Sequence, residues 1–171
     1  FNQKVNKLPI NLTYLEFGYY FNQSVDHLPK GLSYLKFGCE FNQSVDNLPS
    51  NLTHLELGHD FNQRVDYLPI GLSYLEFGCN FNQPVNHLPI GLMHLEFGRY
   101  FNQKVDKLPI NLTYLKFGYN FNQTVNKLPI SLSCIIVDES YNWLFDYNKP
   151  VFHLRYGENY KYLERHNVLK N

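Results

Sequence analysis

Residues 1–20 read FNQKVNKLPINLTYLEFGYY, and residues 21–40 repeat the phrase as FNQSVDHLPKGLSYLKFGCE. Five further copies follow at intervals of 20 residues, and the seventh ends in SLSCIIVDES at residue 140. A unit this short cannot bury its apolar side chains alone, so it must stack on its neighbours. The repeat therefore predicts a solenoid with one rung per copy.

The charge and composition of the chain exclude several classes of protein. Of the 171 residues, 15 are basic and 15 acidic, so the chain lacks the positive field of a nucleic-acid or membrane-surface binder. No run approaches the ~20 apolar residues of a membrane-spanning helix, and no signal-peptide pattern opens the chain. Three widely spaced cysteines predict free thiols in a reducing compartment. We therefore expect a soluble, intracellular, cytoplasmic protein with neither nucleic acid nor membrane as a partner.

The second half of each repeat predicts a short strand. In the first copy, Leu15 and Phe17 alternate with Tyr14 and Glu16, and a period of two is typical of a half-buried strand. Leu15 and Phe17 should face the core, whereas Tyr14 and Glu16 should stand on the open face. Gly18 and its equivalents in the next five copies then predict a backbone turn.

The first half of each repeat predicts a corner and an extended return. An inward asparagine in the second position can pair with backbone groups that the corner leaves unsatisfied. The recurrent proline excludes a helix interior, and a rung of 20 residues has no room for a helix of ordinary length. We expect a mainly β solenoid with little helix, with parallel strands on one face and extended, polyproline-like chain on the other. Its framework residues include Asn22, Asn42, Asn62, Asn82, Asn102, Phe37, Phe77 and Phe97.

The seventh copy departs from the pattern. Ile136 stands where other copies have an outward Glu or Lys, and Asp138 replaces the glycine, so we expect Ile136 to be covered. The tail is the expected cover, because residues 151–157 align with residues 12–18 after one deletion in the preceding turn.

These boundaries define one solenoid domain over residues 1–159, with seven repeats and a degenerate eighth at 141–159. Terminal rungs are expected to be atypical because they cap the column. Residues 160–171 are interpreted as a C-terminal cap or tail, with a short helix that turns inward Tyr160, Leu163 and Val168.

The repeat resembles a leucine-rich repeat in which phenylalanine takes some leucine positions, as in Leu12, Leu15 and Phe17 followed by Asn22, Val25, Leu28 and Pro29. More narrowly, the phrase FNQxVxxLPxxLxxLxFG resembles the FNIP repeat, a leucine-rich-repeat-like family abundant in social amoebae and in giant viruses of amoebae. The match is close over residues 1–133 and looser over 134–159. The resemblance implies a right-handed protein-interaction solenoid, sometimes attached to an N-terminal F-box that docks adaptors of ubiquitin ligases. It carries over no catalytic residue and no cofactor.

Two positions on the predicted open face vary between otherwise uniform rungs. One position reads Tyr14, Tyr34, His54, Tyr74, His94, Tyr114 and Cys134, and the other reads Glu16, Lys36, Glu56, Glu76, Glu96, Lys116 and Ile136. Aromatic groups with a polar edge are enriched at binding hot spots. The predicted partner-binding set is Tyr34, His54, Glu56, Tyr74, Glu76, His94, Glu96 and Tyr114.

The glutamates of this face have two interpretations. Glu56, Glu76 and Glu96 should lie about 5 Å apart on adjacent rungs and repel one another unless a positive group arrives, which favours a basic partner bearing Lys or Arg. Alternatively, they are solvated, and Lys36 and Lys116 neutralise the ends of the row. Such cross-strand charge pairs need no partner.

Other chemistries are disfavoured at these columns. Cys39, His59 and Cys79 occupy successive rungs, but the two sulfurs would lie about 9.6 Å apart, against roughly 4 Å around a shared zinc ion. A flat, hydrated strand face also lacks the desolvated pocket that adjusts acid–base residues for catalysis. We therefore expect no metal, no cofactor and no enzymatic activity.

Two functions from different classes remain. The first is a non-catalytic solenoid that binds a protein on its strand face, as the substrate-recognition part of a larger F-box-type adaptor. The second is a structural rod that self-associates end to end through an uncapped N-terminal rung. The chain opens in register with the repeat and without methionine, which indicates a piece of a longer protein.

Overall fold

The structure is a computed structural model that describes residues 1–125, 127–138, 153–154 and 160–162. Its strands follow one another at the interval of the repeat. They are β1 (Tyr14–Glu16), β2 (Tyr34–Lys36), β3 (His54–Glu56), β4 (Tyr74–Glu76), β5 (His94–Glu96), β6 (Tyr114–Lys116), β7 (Cys134–Asp138), β8 (His153–Leu154) and β9 (Tyr160–Tyr162).

The strands form one sheet in which β1 to β8 pair in chain order, each parallel to the next. Each residue of β1 to β6 faces the residue 20 positions later, as Leu15 faces Leu35. Parallel strands in this register place equivalent side chains on top of one another. The predicted mainly β, leucine-rich-repeat-like solenoid with 20-residue rungs is confirmed.

The other side of each rung is irregular chain with turns, and the described residues contain no helix. Each return ends in a β-turn that opens on proline, in which the N–H of Leu32 donates to the carbonyl of Pro29 at 3.1 Å. Proline suits this position because the turn takes only its carbonyl and needs no N–H. Accordingly, the described chain has no helical segment of the length and apolarity that crossing a membrane requires.

The core is a column of leucine, valine and phenylalanine between the two sides. Leu35, Leu55, Leu75, Leu95 and Leu115 are fully buried, and so are the phenylalanines that open the repeats from Phe21 to Phe101. The predicted framework residues Phe37, Phe77 and Phe97 are buried as well, each with its ring 3.6–3.7 Å from that of the phenylalanine four residues later. Each such side chain stabilises the fold by about 1.5–3 kcal/mol.

A ladder of asparagines runs along the corner of the solenoid. Oδ1 of Asn42 accepts hydrogen bonds from the backbone N–H of Asn62 at 2.9 Å and from Nε2 of Gln63 at 3.0 Å. The same pair of bonds links every step along Asn2, Asn22, Asn42, Asn62, Asn82, Asn102 and Asn122. Each amide therefore satisfies the corner of the following rung, not that of its own.

The glycine after each strand is required by close approach between rungs. The predicted turn is present, since the N–H of Phe21 donates to the carbonyl of Gly18 at 3.1 Å, but no described glycine has a positive φ. A Cβ built on Gly78 would lie 2.0 Å from the carbonyl oxygen of Gly58, and the distances from Gly38 to Gly118 are 1.8–2.3 Å. The residue is glycine because the backbone of the preceding rung fills the space of a side chain.

The seventh rung extends its strand where the glycine is missing. β7 is five residues long, against three in β1 to β6, and it includes Asp138 in the glycine position. Its first two residues pair with β8, in which His153 faces Cys134 as the alignment of the tail predicts. This register agrees with a degenerate eighth rung.

The tail differs from the expected helix. Tyr160–Tyr162 form β9, which pairs antiparallel with the end of β7 and places Tyr162 opposite Ile136. The helical prediction is wrong for these three residues, because the extended β7 offers backbone groups that a strand can pair. Leu163 and Val168 lie outside the described residues.

Replacing an inner glycine of the column should strongly destabilise the solenoid. In Gly78→Ala, the new Cβ meets a backbone carbonyl that cannot rotate away, so the rungs must separate. We expect a loss of about 3 kcal/mol, the upper end of ordinary overpacking, in urea-induced unfolding.

The chain supplies two matched controls for this substitution. Gly18→Ala changes the same motif position where a Cβ meets nothing within 4 Å, and Gly71→Ala meets only ordinary contacts from 3.5 Å. Both should change the free energy of unfolding by less than about 0.5 kcal/mol. Equal losses from Gly18→Ala and Gly78→Ala would show that the close approach is not the reason for glycine.

Removing one amide from the ladder should also destabilise the fold. Asn62→Ala leaves the N–H of Asn82 and Nε2 of Gln83 without their acceptor, which should cost about 1–3 kcal/mol in thermal or urea unfolding. Asn111→Ala removes only an exposed bond to the carbonyl of Ile90 and should cost under about 0.5 kcal/mol. Similar losses in the two variants would contradict a structural role specific to the ladder.

Candidate functional site

The strands place the predicted partner-binding residues in two parallel rows on the outer face of the sheet. The middle residue of each strand points into the core, so the first and third residues point outward. The first residues form an aromatic row of Tyr14, Tyr34, His54, Tyr74, His94 and Tyr114. The third residues form a charged row of Glu16, Lys36, Glu56, Glu76, Glu96 and Lys116.

The aromatic row is a continuous stack of rings. The ring centroids of His94 lie 4.2 Å from Tyr74 and 4.1 Å from Tyr114, with interplanar angles of 12° and 5°. The rings of Tyr34, His54 and Tyr74 stack in the same way at 5.9 and 5.1 Å. Tyr14 and His54 are exposed, and the other rings of the row are half-buried by their neighbours. The row therefore presents ring edges outward and keeps its faces covered.

Two of the three adjacent glutamates already have basic partners. Nζ of Lys36 lies 2.8 Å from Glu56, and Nζ of Lys116 lies 2.8 Å from Glu96. Nε2 of His94 is also 2.8 Å from Oε1 of Glu96. The interpretation in which Lys36 and Lys116 neutralise the two ends of the row thus describes Glu56 and Glu96.

These contacts hold Glu56 and Glu96 in the charged form. Partial burial opposes the ionisation of Glu96, but hydrogen bonds from His94 and Lys116 outweigh it and lower the pKa of Glu96. Burial is likewise opposed at Glu56, where Lys36 and the hydroxyl of Tyr34 donate to the carboxylate and lower its pKa. Both carboxylates are ionised at neutral pH.

The tyrosine hydroxyls of the aromatic row donate to the charged row. Its hydrogen bond to Glu56 raises the pKa of Tyr34 well above the ordinary range. Burial, followed by the charge of Glu76, does the same to the pKa of Tyr74, whose hydroxyl is 3.1 Å from Oε2 of Glu76. The two rows are therefore coupled, and these phenols remain neutral donors.

Glu76 differs from its two neighbours in the charged row. It faces Glu56 on one side and Glu96 on the other. Within the described residues no Lys, Arg or His approaches it within 4.0 Å, and the hydroxyl of Tyr74 is the donor that reaches it. The repulsion expected for three glutamates is thus concentrated at the middle one.

The sequence placed the residues of the two rows correctly relative to one another, but it did not show their mutual hydrogen bonds. The signal was available, because residues at i and i+2 of a strand share a face. His59, considered with Cys39 and Cys79 as a zinc ligand, instead has Nδ1 2.7 Å from Oδ1 of Asp60. The part of the chain that the structure describes holds no group of three potential metal ligands.

Comparison with known families agrees with this architecture. The model of the FNIP repeat matches residues 1–40, 24–58, 41–80, 64–100 and 101–140. The chain belongs to the FNIP repeat family. No curated protein matches the chain.

Among solved structures, the FNIP chain is similar to the crystal structure of CroV588, a circular LRR protein from a giant virus. The two are 49% identical with a TM-score of 0.74, over 79% of this chain and 22% of CroV588. The FNIP chain thus spans about a fifth of the length of this relative. Solenoids of this leucine-rich-repeat type are generally scaffolds for protein interactions and typically non-catalytic.

The Lys36–Glu56 pair should make stability depend on pH in the acidic range. Because the pKa of Glu56 is lower in the folded protein, its contribution is complete above the ordinary value of 4.5 and is lost as the pH falls through the folded value. Glu56→Gln should lower the free energy of unfolding by about 1 kcal/mol at pH 7 and low salt, since solvent screens the half-exposed Lys36. The deficit should vanish near pH 3 in urea unfolding curves.

Glu40→Gln is the control, because Glu40 forms no ion pair with any described residue. It should change the free energy of unfolding by less than about 0.5 kcal/mol at either pH. A deficit in Glu56→Gln that stays constant from pH 7 to pH 3 would contradict the assigned direction of the pKa shift.

Proposed function

We propose that this FNIP solenoid is a non-catalytic interaction module whose strand face binds a protein segment bearing Lys or Arg. The observation that carries the proposal is Glu76, a carboxylate held between Glu56 and Glu96 with no cation within 4.0 Å among the described residues. A guanidinium or ammonium group at Glu76 would continue the alternation that Lys36 and Lys116 begin. Such a group would be attracted by three carboxylates while paying little desolvation at a partly open surface.

The aromatic row supports this assignment as the rigid part of the surface. The rings of Tyr74 and His94 are fixed by stacking at 4.2 Å and by hydrogen bonds to the glutamates beside them. A partner therefore orders few side chains on binding, and rigid aromatic edges bury area at low entropic cost. In this assignment the aromatic row provides the contact area and Glu76 provides the selectivity.

The similarity to CroV588 suggests that the module works as part of a longer repeat protein. This chain corresponds to 22% of CroV588, so a larger solenoid would continue the same rows of side chains. We propose that it serves as the partner-recognition part of a larger intracellular adaptor, of which an F-box-type adaptor is one form. Neither nucleic acid nor a membrane is the proposed partner, in keeping with equal numbers of acidic and basic residues.

A structural role is the second candidate, in which the repeats act as a rigid spacer or associate end to end. The uninterrupted asparagine ladder favours it, because hydrogen bonds link each of the first seven rungs to the next. A spacer needs no selective residue on its strand face, so this role and the proposed binding differ in what they require of Glu76.

The proposal is tested by crosslinking capture from amoebal cell lysate, read by quantitative mass spectrometry. Glu76→Gln keeps the shape and the hydrogen-bond acceptor of the side chain while removing its charge. It should reduce recovery of the captured partner by about tenfold or more, the loss typical of a broken interfacial charge pair. The lost proteins should carry a Lys- or Arg-bearing segment at the crosslinked site.

Glu16→Gln is the matched control, since Glu16 occupies the same strand position and also accepts from a tyrosine, Tyr14, at 3.1 Å. Its recovery should equal that of the unchanged chain. Equal recovery from all three forms would contradict the site at Glu76 and favour the structural role. Unchanged urea unfolding curves would show that both variants are folded.

A further inference from the structure

A row of isoleucines lies on the exposed turns opposite the return limb, far from any role in the two rows of the strand face. Ile70, Ile90, Ile110 and Ile130 hold the same position in four successive rungs and are 77, 62, 60 and 79% exposed. We call these four side chains the isoleucine ridge. Exposed apolar side chains in a contiguous set mark interaction surfaces more often than isolated ones do.

The fold does not require isoleucine at this position. Ile70 is the second residue of the β-turn closed by the N–H of Leu72 and the carbonyl of Pro69 at 3.1 Å. The equivalent residues of the second and third rungs are Lys30 and Ser50, and their turns close with bonds of the same 3.1 Å. A β-branched apolar residue at an exposed turn thus gains nothing from folding that lysine or serine lacks.

The ridge is continuous and rests on a stiff backbone. The two inner isoleucines are less exposed than the two outer ones, as expected where each is covered by a neighbour on both sides. Nδ2 of Asn111 donates to the carbonyl of Ile90 at 3.2 Å, and Oγ of Ser131 donates to the carbonyl of Ile110 at 2.6 Å. Successive turns are thereby tied together directly beneath the side chains.

The apolar surface extends beyond the ridge within the same rungs. Tyr67, three residues before Ile70, is 73% exposed, and Met93, three residues after Ile90, is 50% exposed where other rungs have Ser or Thr. Together with the ridge they expose on the order of 600 Å², against about 800 Å² per partner in a standard protein interface. An area of this size suits a reversible association.

We propose that the isoleucine ridge is the contact of a symmetric dimer with a second copy of this chain. Its teeth recur at the strand spacing of about 4.8 Å, so the four side chains span about 14 Å. An amphipathic helix repeats every 5.4 Å and drifts out of step, and an extended strand presents same-face residues every ~6.7 Å. A second ridge has the same spacing by construction, so the two sets of isoleucines can interdigitate as in a steric zipper.

The ridge is one side chain wide, which fits insertion between the teeth of another ridge better than lying on a lipid surface. Residues that flank it on the return limb are polar or charged, including His87, Lys107 and Lys127. Apolar centres with polar rims are the ordinary arrangement of protein interfaces. The dimer is independent of the function proposed for the strand face, since it uses other side chains.

The dimer is tested by sedimentation equilibrium of the whole chain at about 1–200 µM, a range that brackets reversible association. The unchanged chain should pass from monomer to dimer within this range. Ile90→Lys combined with Ile110→Lys should weaken dimerisation at least tenfold and leave monomer at the highest concentration. These variants should fold, because Lys30 already occupies the equivalent turn.

Ile10→Lys is the matched control, because Ile10 holds the same turn position, is 81% exposed and is separated from the ridge by Lys30 and Ser50. It should dimerise as the unchanged chain does, and so should Glu76→Gln. The proposal is overturned if the unchanged chain is monomeric throughout, or if Ile90→Lys with Ile110→Lys dimerises normally. Loss of dimer in Ile10→Lys to the same extent would also overturn it.

Discussion

The structure depends on backbone pairing between rungs that are related by a shift of 20 residues. Parallel pairing in register sets one strand spacing for every residue of the repeat, so each side chain meets its own equivalent above and below. At the glycine column this spacing leaves 1.8–2.3 Å between an added Cβ and the preceding carbonyl. At the corner it brings Oδ1 of each asparagine within 2.9–3.0 Å of the next backbone N–H. The same distance thus excludes one side chain and requires another.

This constraint also determines the electrostatics of the strand face. A residue placed at one strand position is brought close to the residues at the same position in adjacent rungs, whatever their charges. Three successive glutamates therefore lie in one row, and the fold relieves the outer two through Lys36 and Lys116. The depressed pKa values of Glu56 and Glu96 follow from these lysines and from the Tyr34 and His94 donors, against the effect of burial. Glu76 is left as the position where a partner's charge has the most effect.

Most of the framework could be predicted from the period and the alternation of apolar residues, because both follow from local backbone geometry. The strand from Tyr14 to Glu16 and the alignment of His153 with Cys134 are examples. The reason for glycine at Gly78 could not be predicted, since it depends on the distance to a neighbouring rung and not on the φ of the residue itself. The strand at Tyr160–Tyr162 was missed for a similar reason, because its partner is the extended end of β7. The coupling of Tyr74 to Glu76 likewise depends on side-chain conformations that the alternation alone does not specify.

In an array this uniform, a surface acquires limits only where a rung breaks the pattern. Lys36 and Lys116 end the run of glutamates, so the acidic stretch occupies the third to fifth rungs. Lys30 and Ser50 end the run of isoleucines in the same way, and the ridge occupies the fourth to seventh rungs. The two bounded surfaces use different positions of the 20-residue repeat, so a change at one need not alter the packing of the other. A dimer formed through the ridge would present two copies of the strand face, and a partner with two basic segments would then gain from their effective concentration. Substitution at a single position per rung is therefore enough to place separate contacts on one invariant column.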